Sequence, residues 1–275
     1  MTGHNRSQSL TTARRFAHPY TRGVRRADRL SAILERLSDG GSVTASGLSR
    51  DLEVSPATIR RDLQLLEGQR LLARTHGGAV AHGVLYELPL RYKSARHREE
   101  KRRIAAAAVE RIADGAAVGL TGGTTTTEVG RALAGRENVT VVTNALNIAS
   151  ELAVRPNVKL VVTGGVARSE SYELVGPLAE HSLEELNLDI VFVGVDGIDP
   201  HAGLTTHHEI EAHTNRALID RSRLVVVVAD SSKIGRVGFA RICELSRIDE
   251  IITDMGVEAP VLRPIEEAGV RVTMV

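Results

Sequence analysis

Six short runs of β-branched and aliphatic residues punctuate the chain from Glu99 onward: Ala117–Leu120, Val139–Val142, Lys159–Val162, Ile190–Val195, Leu224–Val228 and Glu250–Ile252. They alternate with helical patterns, and no other feature narrows the fold as much. The runs lack a polar face, so they suit strands covered on both sides, and the helices between them are the crossovers that parallel strands require. Residues 99–275 are therefore expected to form an α/β domain with a mostly parallel sheet.

Residues 25–80 carry a different pattern. Leu30, Ile33, Leu34 and Leu37 repeat at helical spacing and stop at Asp39-Gly40-Gly41. Thr44 suits the N-cap of a second helix with Leu48 and Leu52 on its apolar stripe, and Val54 covers a tight turn. Ser55 caps a third helix, with Pro56 at its first position and Ile59, Leu63 and Leu66 turned inward. Leu71, Leu72 and Arg74-Thr75-His76-Gly77-Gly78 then read as a β-hairpin wing. Helix, tight turn and helix make a helix-turn-helix, whose second helix enters the DNA major groove. Burying Ile59, Leu63 and Leu66 leaves Ala57, Thr58, Arg60, Arg61 and Gln64 outside. Arg pairs with guanine, Gln with adenine, and Thr or Ala meets the thymine methyl. Ser55 and the free amides of that helix suit a phosphate, Arg74 lies on the wing, and His76 meets phosphate or solvent. Charge points the same way. Residues 1–80 hold thirteen Arg and no Lys against seven acidic residues, whereas the remainder holds 22 Lys and Arg against 27 Asp and Glu. A basic front half suggests a polyanion partner.

Several expected strands end in polar punctuation. Thr121-Gly122-Gly123-Thr124-Thr125-Thr126 opens a helix and has the makings of a phosphate cradle, with Gly for close backbone approach and amides and hydroxyls as donors. It has neither the Walker ending nor the dinucleotide spacing. Thr143-Asn144, Thr163-Gly164-Gly165, Asp196-Gly197 and Asp230 with Lys233 follow other strands. Ligands of open α/β sheets bind beyond such carboxyl ends, where Lys233 can neutralise a phosphate and Asp196 can accept from sugar hydroxyls. Each of these residues is equally suited, alone, to a turn, a cap or a solvated surface.

These motifs resemble those of the DeoR family of bacterial transcription regulators. Ser55-Pro56-Ala57-Thr58-Ile59-Arg60-Arg61-Asp62-Leu63, Leu66-Glu67 and Arg74-Thr75-His76-Gly77-Gly78-Ala79 are similar to its winged helix-turn-helix. Glu99-Glu100-Lys101, the Gly-Gly-Thr-Thr loop, Val142-Thr143-Asn144, Val195-Asp196-Gly197-Ile198, Gly203-Leu204-Thr205-Thr206 and Ala229-Asp230-Ser231-Ser232-Lys233 are similar to its effector domain. The resemblance spans roughly residues 26–255. It implies a sensor fold like that of ribose-5-phosphate isomerases and CoA transferases, and a phosphorylated sugar or related metabolite as ligand. One departure stands out: the family loop often begins Asp-Ser-Gly-Thr-Thr, and here Thr121-Gly122-Gly123-Thr124-Thr125 lacks the acid.

The expected organisation is a disordered basic tail (1–24), a winged helix-turn-helix (25–80), a linker (81–98) and an effector domain (99–275). The expected function is a DNA-binding regulator, a repressor of a carbohydrate operon acting as a homo-oligomer on double-stranded DNA and modulated by a phosphorylated sugar. The alternative is a sugar-phosphate isomerase-like enzyme using Asp196 and Asp199, although no lysine follows the Gly203-Leu204-Thr205 turn. No cofactor or metal is expected: Cys243 is the single cysteine, and His207, His208 and His213 lack zinc spacing. No apolar run exceeds Leu224–Ala229, far short of the about 18 residues of a membrane span, so a cytoplasmic protein is expected.

Overall fold

A computed structural model describes residues 26–81, 88–94 and 96–275, apart from the side chains of residues 38 and 39. The expected tail lies outside the described residues, as does part of the expected linker.

The first domain is three helices and a small sheet: α1 (Arg26–Gly40), β1 (Ser42–Thr44), α2 (Ala45–Asp51), α3 (Pro56–Gly68), β2 (Leu72–Thr75) and β3 (Gly78–Ala81). The capping signals act as their chemistry dictates. Thr44 Oγ1 accepts from the Gly47 amide at 3.1 Å and Ser55 Oγ from the Thr58 amide at 3.2 Å, satisfying amides that the helices leave unpaired. Leu30, Ile33, Leu34 and Leu37 meet Leu48, Ile59, Leu63 and Leu66 in one core. Strands pair antiparallel in the order β1-β3-β2, so the hairpin is a three-stranded wing. Beneath α3 the buried Asp62 receives Arg29 in a fork, with Nε at 2.5 Å and Nη2 at 3.2 Å.

The chain then forms a single helical turn, α4 (Leu90–Lys93), and α5 (Arg98–Val109). The second domain continues with β4 (Ala117–Leu120), α6 (Thr124–Leu133), β5 (Val139–Thr143), α7 (Leu146–Leu152), β6 (Val158–Val162), β7 (Val166–Ala167), β8 (Leu174–Val175) and α8 (Pro177–Leu183). It closes with β9 (Leu188–Val193), β10 (Gly197–Asp199), β11 (Gly203–Thr206), α9 (Glu209–Asp220), β12 (Ser222–Val228), β13 (Ala240–Cys243), β14 (Glu250–Thr253), α10 (Ala259–Glu267) and β15 (Arg271–Met274). Seven strands form a wholly parallel sheet in the order β15-β14-β12-β9-β4-β5-β6. The six expected runs all lie in it. Alternate residues feed opposite cores: Val225 and Val227 pack with α9 and α10, whereas Val226 and Val228 pack with α5 and α6. An antiparallel sheet, β10-β11-β13, and the β7-β8 pair are additions that the sequence pattern gives no sign of, because these strands are two to four residues long. Among the described residues, no helix is long and apolar enough to cross a membrane.

Winding reverses between β4 and β9. From β4 the crossover α6 leads outward to β5 on one face, and from β9 the chain passes through α9 to β12 on the other. The carboxyl ends of β4, β9 and β12 therefore border one open crevice.

Removing one member of a buried ion pair strands the other. Asp62→Ala is expected to destabilise the first domain by about 3–5 kcal/mol, measured as lost hydrogen-exchange protection in α1 and α3. Unchanged protection would show that the Arg29 fork is not what fixes α3.

Candidate functional site

The crevice is a cavity open to solvent with about 600 Å³ of unfilled space. Its floor is the loop between β4 and α6. Gly123 precedes α6 at φ 129°, a conformation that side-chain-bearing residues avoid, and the first residues of the helix line the cavity. Thr126 and Thr127 hydroxyls both donate to the Gly123 carbonyl, at 3.0 and 2.6 Å, and lock the loop. Gly122 is required for another reason: a Cβ there would lie 2.2 Å from the Glu173 carboxyl, which leans over it. Gly122, Gly123, Thr124 and Thr125 all line the cavity.

A charged cluster forms the wall. Asp196, beyond β9, receives Lys93 Nζ at 3.1 Å and Lys233 Nζ at 3.4 Å on the same oxygen, and Thr206 Oγ1 on the other at 3.2 Å. His207 Nε2 stands 3.8 Å away. Burial favours the neutral acid, but Lys93, Lys233 and His207 outweigh it and hold this carboxyl well below the usual carboxylate range. Burial pulls the Lys233 ammonium down, with Asp196 opposing. Deeper in, Glu173 is raised well above the ordinary value by burial and by the neighbouring Glu211, despite a hydrogen bond from Asn144 Nδ2 at 3.1 Å. Glu211 is itself ion-paired with Arg168. The site thus presents lysine side chains and the start of a helix for an anion, and carboxyl groups and Asn215 for hydroxyls.

Of the residues expected around a ligand, Asp196 and Lys233 join the Gly122–Thr125 loop on the cavity wall. Thr126, Thr143 and Asn144 are buried behind it. Thr143 Oγ1 donates to the Leu120 carbonyl at 2.7 Å and Asn144 links Glu173 to Asn215, so they brace the wall. Gly164 and Gly165 turn the chain from β6 into β7, and Gly197 opens β10 tight against the Arg236 carbonyl; these three lie off the wall. Sequence reasoning misses Lys93, Glu173, Glu211 and Asn215. Lys93 falls in the presumed linker, and the others are brought in from distant segments with no local signature. His208 caps α9, its Nδ1 accepting from the Ile210 amide at 3.2 Å. Among the described residues, no His, Cys, Asp and Glu group is placed to hold a metal ion.

On the first domain, Arg60, Arg61 and Gln64 stand exposed along one side of α3, with Ser55 and Ala57 exposed at its start and Thr58 half-buried. Arg74 and His76 are exposed on the wing, where Arg74 stays close to Glu67 of α3 at 3.9 Å. The surface therefore gathers the groups named from sequence on one helix and one hairpin.

Comparison with known proteins gives two domain matches: residues 29–82 to the DeoR-like helix-turn-helix domain and residues 96–255 to the DeoR C-terminal sensor domain. The chain is 39% identical to a putative aga operon transcriptional repressor of Escherichia coli O157:H7, over 90% of this chain and 94% of that protein. It is 34% identical to the glycerol-3-phosphate regulon repressor of Escherichia coli K12, over 84% of this chain and 92% of the relative. Among solved structures, a ribose 5-phosphate isomerase of Methanocaldococcus jannaschii is 22% identical with a TM-score of 0.38, covering 50% of this chain and 54% of that one.

Lys101, on α5 behind the cavity, supplies a pH test. Its ammonium donates to the Lys93 and Arg96 carbonyls at 3.2 and 2.6 Å and lies 3.8 Å from Asp230. Burial, only partly offset by Asp230, lowers it from 10.5 to about 8. Between those values the unfolded chain still binds a proton that the folded chain has lost, so stability gains from rising pH across that window. Lys101→Met is expected to make the slope of unfolding free energy against pH shallower there, measured by urea denaturation. An identical slope would refute the assignment.

Proposed function

This chain belongs to the DeoR family of transcription regulators, and from that premise we propose that it represses a carbohydrate-metabolism operon until a phosphorylated sugar or related metabolite occupies the crevice. The observation that carries this reading is the convergence of Lys93, Lys233 and the first turn of α6 on one cavity at the sheet's winding reversal. Ammonium groups and helix amides recognise phosphate. Asp196, Glu173 and Asn215 then read hydroxyls, which distinguishes a polyol or sugar phosphate from inorganic phosphate.

The DNA-facing groups are Arg60, Arg61 and Gln64 for base edges, Ala57 and Thr58 for thymine methyls, and Ser55, Arg74 and His76 for the phosphate backbone. A homo-oligomer in the cytoplasm presents these helices to paired half-sites. The relatives' names support the repressor assignment: one regulates an aga operon and another a glycerol-3-phosphate regulon. The isomerase-like alternative loses one of its two carboxylates to turn formation. Asp199 Oδ1 accepts from the His201 and Ala202 amides, both at 2.8 Å, and ties the β10–β11 turn.

Two substitutions separate the functions. Arg61→Ala is expected to weaken operator binding by about 1–3 kcal/mol and leave calorimetric binding of sugar phosphates intact. Thr125→Val is expected to weaken sugar-phosphate binding and leave the DNA affinity of the unliganded protein unchanged. Loss of both properties in either variant would overturn the division of labour. Turnover of a sugar phosphate by the purified chain would overturn the regulator reading in favour of an enzyme.

A further inference from the structure

The helical turn α4 belongs to both domains at once. Leu88, just before it, and Tyr92 are buried in the core of the first domain with α1 and α3. Leu90 and Lys93, three residues apart and so on one face, line the sensor cavity. Each end of this bridge is anchored. The Leu90 amide donates to the Glu170 carbonyl at 2.7 Å, and Lys93 Nζ reaches Asp196 at 3.1 Å. On the other side Tyr92 Oη donates to Gln69 Oε1 at 2.5 Å, and Arg91 reaches the same oxygen at 3.4 Å. Gln69 is the C-cap of α3, the helix that carries Arg60, Arg61 and Gln64. Beyond α4, Arg96 is ion-paired with Glu35 of α1. The buried Lys101 ammonium donates to both the Lys93 and Arg96 carbonyls and ties these two residues to α5.

We propose that Lys93 is the switch residue of the sensor site: it leaves Asp196 for the anionic group of the ligand, and α4 carries the displacement through Tyr92 to Gln69 and hence to α3. The proposal rests on the reading of the crevice as an anion site. An entering phosphate competes with Asp196 for the same ammonium, and Asp196 retains Lys233 and Thr206 when Lys93 departs. Tyr92 is buried in the first-domain core, and interiors are close-packed, so α4 cannot shift without repacking against α3. The differential contact that a ligand must make to favour one state is thus the Lys93 ion pair itself.

A double-mutant cycle on the full-length chain tests the route without a ligand. The readout is fluorescence anisotropy with a labelled duplex that the protein selects from random-sequence DNA. Asp196→Asn releases Lys93 and is expected to weaken DNA binding at least about fivefold. Tyr92→Phe alone is expected to change it less than about twofold, and in that background the effect of Asp196→Asn should fall below about twofold. Gln69→Ala is expected to suppress the effect in the same way. Lys93→Gln breaks the pair from the other side and replaces Asp196→Asn if that variant fails to fold. An Asp196→Asn effect that is absent, or equal in all backgrounds, overturns the proposal. Calorimetry with glycerol 3-phosphate and ribose 5-phosphate on the unaltered protein separates the two readings. Binding of a probe with an additive cycle removes the α4 route alone. Failure of both probes to bind, with a non-additive cycle, removes the phosphorylated ligand and leaves the route in place.

Discussion

A parallel sheet covered on both faces has one place where backbone polar groups and loops converge without a helix to close them off: the point where its winding reverses. Here that point lies between β4 and β9, whose following crossovers go to opposite faces. The rest of the molecule is arranged around this gap. Gly122 and Gly123 let the loop after β4 line the gap while Glu173 leans across it. The segment after β9 delivers Asp196, and the segment after β12 delivers Asp230 and Lys233. No separate device is needed to gather these groups, because parallel strands put all their carboxyl ends at one edge.

What fills the gap is a balance of charge. Carboxyl groups from Glu173, Asp196, Glu211 and Asp230 line one cavity, and they could not all ionise there unaided. The cluster resolves the conflict by dividing the roles. Asp196 is held ionised by two ammonium groups, Glu211 pairs with Arg168, and Glu173 is driven toward its neutral form. The cations on Asp196 are lysines, point charges on flexible stems, whereas Glu211, deeper in, is ion-paired with the Arg168 guanidinium. That distribution places exchangeable partners where a ligand arrives and fixed ones where the wall must hold.

Much of this was legible in sequence because the relevant signals are short-range. A cap is a contact between residues two or three apart, so Thr44, Ser55 and Pro56 disclose the ends of α2 and α3 by themselves. The strand runs are equally local, since strands covered on both faces are dominated by β-branched and aliphatic residues along a few consecutive positions. The cavity's chemistry is only half local. The Gly122–Thr125 loop is one contiguous motif, but Glu173 acquires its character from Asn144 and Glu211, far away in sequence. Leu88, Leu90, Tyr92 and Lys93 escape periodicity altogether: one helical turn is too short to show it, and its apolar residues are divided between two cores. β15 is missed because Arg271-Val272-Thr273-Met274, at the sheet's edge, mixes polar and apolar residues.

A switch also needs two arrangements of similar energy, and the twin lysines provide the conditions for them. A buried carboxylate deprived of every cation loses several kcal/mol, and an exchange that stripped Asp196 bare would be prohibitive. With Lys233 and Thr206 still in contact, Asp196 loses only one of its partners when Lys93 leaves. Lys93 in turn exchanges the Asp196 carboxylate for the ligand's anion. The energetic difference between the arrangements then includes the ligand's own contacts and the repacking of Tyr92 against the first-domain core. A core near crystalline density repacks in discrete steps rather than by gradual deformation, so a displacement of Lys93 registers at α3 as one state or the other.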